Sequence, residues 1–196
     1  MDTVYIHADE SCLGNQNQKK ASPGGAAGLL EVWNDGSWER RDYWLSEGDT
    51  TNNRMALWSA IAPLRLLRRR CRVVFTSDSQ YLVKGINEWR HGWKRANWKR
   101  KTGAIKNLEL WKELDGLLDR HDLVARWVRG HDGHPENEYV DFLATTAAAE
   151  QSRSDGLTES GFSAWLEDER EKGHYLDYME FEPPEARYPY TKEEGA

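Results

Sequence analysis

Three aspartates stand where predicted secondary-structure elements begin or end. Asp9 closes the β-rich stretch TVYIHAD, Asp78 follows the stretch RVVFTS, and Asp141 lies early in a helix that follows a Gly-His loop. Carboxylate oxygens collected from separate elements suit Mg²⁺, which prefers hard ligands and keeps several of its waters. Two such ions about 4 Å apart can activate a water and stabilise a leaving oxygen in phosphodiester hydrolysis. Each aspartate taken alone is better explained by helix capping or turn formation, so the surrounding motifs have to decide.

The elements that must position these aspartates alternate between strands and helices. A tight Asn-Asp-Gly turn joins the second and third strands, which predicts that the first three strands are antiparallel. The pattern therefore predicts an α/β fold, a five-stranded mixed sheet flanked by helices. The predicted strands cover 3–9, 25–33, 37–45, 72–77 and 123–129, and the main helices cover 52–69, 107–121 and the region from 135 onward.

Five motifs follow one another along residues 3–150: DESCLGN, TTNNRM, TSDSQYLVKGI, EWRHGWKRANWK and WVRGHDGHPENEYVD. In this order they closely resemble the type 1 ribonuclease H family, including bacterial members with a basic protrusion. The resemblance implies the ribonuclease H-like fold and endonucleolytic cutting of the RNA strand of RNA/DNA hybrids, with Mg²⁺ or Mn²⁺ as a substitute. It also implies a catalytic set in which the aspartates bind metal and the histidine aids proton transfer and product release: Asp9, Asp78, His131 and Asp141.

One position departs from the family pattern. The family's second carboxylate belongs directly after the Asn-Asn-Arg-Met stretch, where this chain has Ala56, and residues 52–70 contain no acidic residue. Three explanations are open: an engineered Glu→Ala change, a natural but catalytically silent hybrid-binding protein, or a natural enzyme in which the carboxylate has moved. The longer basic turn after Cys12 and the acidic C-terminal region favour a naturally divergent branch.

Three acidic residues are candidates for a relocated carboxylate. Glu10 stands where the family has glycine, whereas Asp49 precedes the first helix and Asp132 adjoins His131. Strand alternation places Glu10 on the face opposite Asp9 unless the strand bulges there. The alternative for each of the three is ordinary surface charge.

Substrate contacts follow from what distinguishes RNA from DNA. A-form-like duplexes display their 2′-hydroxyls in a wide minor groove, and side-chain amides can both donate to and accept from them. The resemblance gives this role to Asn15, Asn52, Asn53 and Gln80, with backbone contacts near Cys12. The alternative for Asn52 and Asn53 is helix N-capping.

A basic segment interleaved with tryptophans predicts a handle for nucleic acid. Residues 84–106 carry a net charge of +7, and cations can meet phosphates while aromatic rings pack against sugars. The alternative is a solvated surface helix held by its tryptophans. The residues assigned to the handle are Trp89, Trp93, Lys94, Arg95, Trp98, Lys99, Arg100 and Lys101.

The composition changes near Gln151. Residues 1–150 are predicted to form the ribonuclease H-like domain, and residues 151–196 an acidic extension, partly helical or extended, that is separable and available to a protein partner. The net charge of -6 divides into +2 for residues 1–149 and -8 for the rest, so global charge hides a basic domain. Two cysteines and no apolar run approaching 18 residues favour a cytoplasmic protein without a membrane segment. We expect a monomer that acts on hybrid duplexes.

Overall fold

A mixed sheet forms the centre of the computed structural model, which describes residues 1–14, 22–130 and 132–187. The described strands lie in the order β5-β4-β1-β2-β3-β6. The predicted fold class is confirmed, but the count of five strands is wrong, because part of the extension pairs with Arg41 and Asp42 as a sixth strand. The strands are β1 (Thr3–Cys12), β2 (Ser22–Asn34), β3 (Ser37–Thr50), β4 (Arg72–Ser77), β5 (Asp122–Trp127) and β6 (Thr158–Glu159).

The helices flank this sheet on both faces. The first begins after Thr51, whose side chain accepts a hydrogen bond from the Arg54 amide at 3.3 Å. None of the described helices is both long and apolar enough to cross a membrane. The helices are α1 (Asn52–Leu66), α2 (Gln80–Lys84), a π-helical turn (Gly85–Trp89), α3 (Arg90–Arg95), α4 (Leu108–Leu118), α5 (Pro135–Glu150), α6 (Phe162–Glu171) and α7 (Pro184–Arg187).

Strand pairing brings the ends of β1 and β4 to the same edge of the sheet. These two strands are parallel, with register from Thr3 opposite Arg72 to His7 opposite Thr76. β5 continues the parallel part beyond β4, whereas β2 and β3 pair antiparallel to β1 and to each other. Because parallel strands run in one direction, residues that follow β1 and β4 meet at their carboxyl ends.

Alternate residues of β1 and β4 build the main apolar core against α1 and α4. Ile6 and Phe75 are fully buried there, together with Trp111 of α4. The π-helical turn begins at Gly85, where any Cβ would lie 1.9 Å from the Trp111 ring, so only glycine fits this close approach. Ala56 belongs to the same cluster and is fully buried.

The extension packs on the opposite face of the sheet rather than standing apart from it. Phe162 and Leu166 of α6 are fully buried against Leu29, Tyr139 and Val140. The rings of Phe162 and Tyr139 meet edge to face, with centroids 5.4 Å apart. This burial does not fit the separable extension expected from the sequence, because removing it would expose the apolar residues it covers.

A buried ionic cluster reinforces this packing. Arg40 of β3 contacts Glu31 at 2.8 Å and Glu180 of the extension at 2.7 Å. Although burial opposes it, the His7 and Arg40 contacts hold the pKa of Glu31 below its usual value. Removing one member of such a cluster leaves an uncompensated buried charge, which costs more than the cluster itself contributes. Arg40 therefore makes the extension part of the folded unit.

We expect Phe162→Ala to lower the free energy of unfolding by about 3–5 kcal/mol, because the change leaves a cavity in a buried aromatic cluster. Phe142→Ala is the matched control, since the Phe142 side chain is 50% exposed on α5 and should cost far less. Urea denaturation followed by circular dichroism gives both values. Equal effects of the two substitutions would show that the extension does not contribute to the core.

Candidate active site

Three carboxylates converge at the carboxyl ends of β1 and β4. One oxygen each from Asp9, Glu10 and Asp78 can be chosen so that all lie within 4.8 Å of one another. Within the described ranges, no other cluster of three or more His, Cys, Asp or Glu side chains meets this condition. Asp9 and Asp78 are two of the predicted metal ligands, and Glu10 is one of the three candidates for the relocated carboxylate.

Asp78 is held in place by residues of β5 and the loop after it. The Trp127 indole Nε1 donates a hydrogen bond to the Asp78 carbonyl at 2.9 Å. A Cβ on Gly130 would lie 2.4 Å from the Asp78 Oδ2, so glycine lets the loop pass directly beside the carboxylate. The hydrogen bond anchors the Asp78 backbone, and the glycine leaves room for the Asp78 carboxylate.

Glu10 reaches the site without a bulge in β1. Glu10 pairs with Ala26 in the same regular register that pairs Asp9 with Ala27. Simple alternation therefore places the Glu10 side chain on the face of β1 opposite the Asp9 side chain. The β1–β4 pairing, however, ends at His7 and Thr76, beyond which no β4 residue pairs with β1. The Glu10 side chain lies in this region and hydrogen-bonds Ser79. Alternation places Glu10 on the same face of β1 as Ile6 and Ala8, yet one of its carboxylate oxygens lies within 4.8 Å of an Asp9 oxygen and an Asp78 oxygen.

Electrostatics at the site favour a cation. Burial, and then the charges of Asp78 and Glu10, raise the pKa of Asp9 to about 9, while burial and Asp78 raise the pKa of Glu10 to about 8. The Glu10 Oε2 atom is buried and has no hydrogen-bond partner among the described residues. A divalent metal ion would satisfy that oxygen and relieve the repulsion, and hard oxygens are the ligands Mg²⁺ takes. The residues present fit such an ion.

The other predicted metal residues divide by position. Asp141 on α5 is half-buried, and its charge helps to raise the pKa of Asp9, so it lies near the cluster. Asp49 and Asp132 are exposed and are not members of the three-carboxylate group. His131 lies outside the described residues, as does the substrate-binding candidate Asn15.

The remaining predicted substrate-binding residues lie at the ends of helices and strands: at the start of α1, at the start of α2 and at the end of β1. Asn52 and Asn53 are exposed in the first turn of α1, where Thr51 already provides the cap, so capping does not account for them. Gln80 is exposed at the start of α2. Burial, with the charges of Glu10 and Glu47, raises the pKa of the Cys12 thiol to about 11, which keeps it neutral.

The handle is ordered by a chain of aromatic contacts. Trp93 lies at the centre, with ring centroids 5.9 Å from Trp89, 6.5 Å from Trp98 and 5.4 Å from Trp111. All three handle tryptophans are half-buried, so they support the segment at least as much as they offer it to a ligand. The tryptophans therefore hold the segment together, and part of each ring is still accessible to a nucleic acid.

The handle's cations fall into two groups. Lys94 is already engaged, since its Nζ lies 2.5 Å from an Asp119 oxygen and 2.9 Å from an Asp115 oxygen. The others are exposed and form no ion pair with another residue in the described part of the chain: Arg95, Lys99, Arg100 and Lys101. Phosphate contacts are therefore expected chiefly from the second group.

The sequence did not reveal the residues that surround the carboxylates of the cluster. Trp127, Gly130 and Ser79 contact Asp78 or Glu10 but belong to residue types common in strands and loops. No local pattern marks them, because their roles arise from contacts between separate elements.

Clustered carboxylates at one sheet edge, in a chain that also carries a basic handle, are typical of a metal-dependent phosphodiester hydrolase. Comparison with known proteins is more specific, because the family model described as RNase H matches residues 1–149. The chain therefore belongs to the ribonuclease H family, whose members are endoribonucleases that depend on divalent metal ions.

Individual relatives agree with this assignment. The chain is 45% identical to a ribonuclease H of Pseudomonas entomophila over 150 residues, which are 76% of this chain and 95% of the relative. It is 44% identical to a ribonuclease HI of Neisseria meningitidis serogroup B over 151 residues, covering 76% and 98%. The crystal structure of LC9-RNase H1, described as a type 1 RNase H with the type 2 active-site motif, matches with a TM-score of 0.80 and 48% identity. That match covers 85% of this chain and 81% of the other.

Metal binding should be linked to proton release. The pKa values of about 9 for Asp9 and about 8 for Glu10 mean that the metal-free site holds protons at pH 7, and Mg²⁺ must displace them. We expect the logarithm of the apparent association constant to rise between pH 6 and pH 8 by up to about 2 per pH unit, and to level off above pH 9. Calorimetry in buffers of different ionisation enthalpy measures the protons released. Affinity independent of pH over this range would contradict the raised pKa values.

Proposed function

We propose that this protein hydrolyses the RNA strand of RNA/DNA hybrids with Mg²⁺, and that Glu10 supplies the carboxylate missing at Ala56. The observation that carries the proposal is the convergence of Asp9, Glu10 and Asp78 at one sheet edge. Family membership supports the activity, and the buried, unpartnered oxygen of Glu10 supports the relocated carboxylate.

The chain's own residues divide the work. Asp9, Glu10, Asp78 and Asp141 hold the metal, and Mn²⁺ can take the place of Mg²⁺ because it accepts the same oxygen ligands. When bound, the metal supplies an activated water and charge stabilisation for the leaving oxygen. His131, by its resemblance to the family's mobile histidine, carries a proton to or from the site. Trp127 and Gly130 keep Asp78 in place while this happens.

The hybrid is bound by two kinds of contact. Amides of Asn15, Asn52, Asn53 and Gln80, with the backbone near Cys12, read 2′-hydroxyls in the minor groove, which selects RNA. The handle contacts phosphates and adds affinity without sequence preference. We infer that the protein works as a monomer in the cytoplasm, and that its acidic extension is the surface on which a protein partner docks.

Glu10→Gln should lower the rate of hybrid cleavage by about 10²–10³, as expected when a charge-stabilising group is removed from a catalytic site. Asp49→Asn and Asp132→Asn remove the same charge at exposed positions outside the cluster and should retain activity. Cleavage of a labelled RNA/DNA hybrid in Mg²⁺ and in Mn²⁺ provides the measurement.

Ala56→Glu completes the test. Ala56 is fully buried in the apolar core, so a glutamate there must displace packed side chains and should give little gain. If Glu10→Gln cuts normally while Ala56→Glu raises the rate, the relocated carboxylate is wrong. Hybrid binding without cleavage by the unmodified protein would instead identify it as a catalytically silent hybrid-binding module.

The handle should act through phosphate charge. Replacing Lys99, Arg100 and Lys101 with alanine should reduce the slope of log K against log salt by up to about 2–3, since each lost phosphate contact removes roughly 0.9. Lys94→Ala is the control, because Lys94 is already neutralised by Asp115 and Asp119 and should change the slope little. Titration of a labelled hybrid without metal at several salt concentrations measures both. An unchanged slope in the triple variant would assign these residues to a solvated surface.

A further inference from the structure

A short segment of the extension presents large apolar side chains to solvent. Leu176 is 72% exposed, Met179 63% and Phe181 71%, all within six consecutive residues. Scattered exposed apolar residues are normal in soluble proteins, but a local group of them marks an interaction surface. We call residues 176–181 the exposed apolar segment.

This segment is anchored to the rest of the fold by the residues that alternate with the exposed ones. The Tyr178 hydroxyl donates to Glu136 of α5, and its carbonyl accepts from Arg170 at 2.8 Å. Glu180 is buried and accepts from Arg40 at 2.7 Å and from the Ser163 hydroxyl at 2.6 Å. Because these anchors point inward, Phe181 and Met179 are directed outward. A surface ordered in advance pays less conformational entropy when it binds.

A cleft beside Phe181 adds charge to this surface. Its volume is about 540 Å³, and it lies between α6 and the exposed apolar segment. Glu167 and Glu171 line it and are exposed, and Asp177 is exposed within the segment itself. Arg170 also lines the cleft, but it is occupied by the Tyr178 carbonyl and lies 3.7 Å from Glu180. The cleft is therefore acidic next to an apolar side chain.

This charge excludes two classes of partner. A nucleic-acid backbone and an anionic lipid surface are both repelled by carboxylates. A protein segment whose apolar side chains are flanked by Lys or Arg has the complementary charge and apolar character. From the anchored apolar residues and the acidic cleft together, we propose that the exposed apolar segment is the docking site for a basic amphipathic segment of a partner protein.

The C-terminal end of the exposed apolar segment lies at the end of the sheet opposite the carboxylate cluster. The Glu182 carbonyl, directly after the segment, accepts a hydrogen bond from the Trp38 indole at 3.0 Å. Trp38 pairs with Trp33 beside the β2–β3 hairpin, at the end of the sheet where β1 begins, whereas Asp9 lies near the carboxyl end of β1 and Asp78 directly follows β4. Docking at Phe181 would bring the hydrolase to its partner.

The experiment uses the full chain and a labelled synthetic helix of leucine and lysine, about 18 residues or five helical turns long. Fluorescence anisotropy in the absence of nucleic acid should show binding. The double variant L176S/F181S should bind at least about tenfold more weakly, as for buried apolar anchors of an interface. The charge variant Glu167→Gln with Glu171→Gln should also weaken binding and reduce its salt dependence. Phe142→Ser is the matched control, since Phe142 is half-exposed elsewhere, and its binding should be unchanged.

Four results would overturn the proposal. They are equal binding of a peptide with serine in place of leucine, undiminished binding by L176S/F181S, equal loss in Phe142→Ser, and preferential binding of the segment to phosphatidylglycerol vesicles. Thermal melting should show that each variant is folded. The proposal extends the partner docking inferred above, and its failure is separable from failure of the hydrolase, because L176S/F181S should cleave labelled hybrid at the unmodified rate.

Discussion

Parallel pairing between β1 and β4 is the constraint on which the site depends. The register that places His7 opposite Thr76 also carries Asp9 and Asp78 out at one edge of the sheet. This register is fixed by the core behind it, because slipping by one residue would turn Ile6 and Phe75 from the buried face to the other. The hydrophobic effect that forms the sheet therefore brings together two carboxylates that repel each other.

The repulsion between these carboxylates favours the binding of a cation. Burial and like charge raise the pKa values of Asp9 and Glu10, so the metal-free site is a poor place for negative charge. A divalent cation reverses this penalty, and the metal's affinity comes largely from charges held close together before it arrives. Metal binding requires ligand oxygens at suitable positions, and these oxygens can come from any strand, helix or loop. A carboxylate from β1 can therefore serve in place of one from α1, where Ala56 is closed within the core.

The C-terminal extension covers one edge and part of one face of the sheet. β6 covers part of the β3 edge, which would otherwise expose unpaired backbone groups, and α6 buries aromatic residues against α5. Arg40 joins the two parts through Glu31 and Glu180, and a buried ionic cluster of this kind fixes one arrangement more than it adds stability. The same contacts that orient Glu180 inward leave Phe181 outward, so the anchoring and the exposed apolar surface have one cause.

The sequence by itself determined the elements and most of the chemistry. Alternation, a hairpin turn and helical periodicity are local properties, so the five main strands and the long helices could be predicted, and the ordered motifs singled out Asp9, Asp78 and Asp141 as candidates. Only the tertiary structure decided which carboxylate joins Asp9 and Asp78, because that depends on distances between side chains of separate elements rather than on the neighbours of Glu10 in the chain. It also decided that Lys94 is neutralised and that the extension belongs to the folded unit. These outcomes rest on contacts between residues far apart in sequence, which local patterns do not encode.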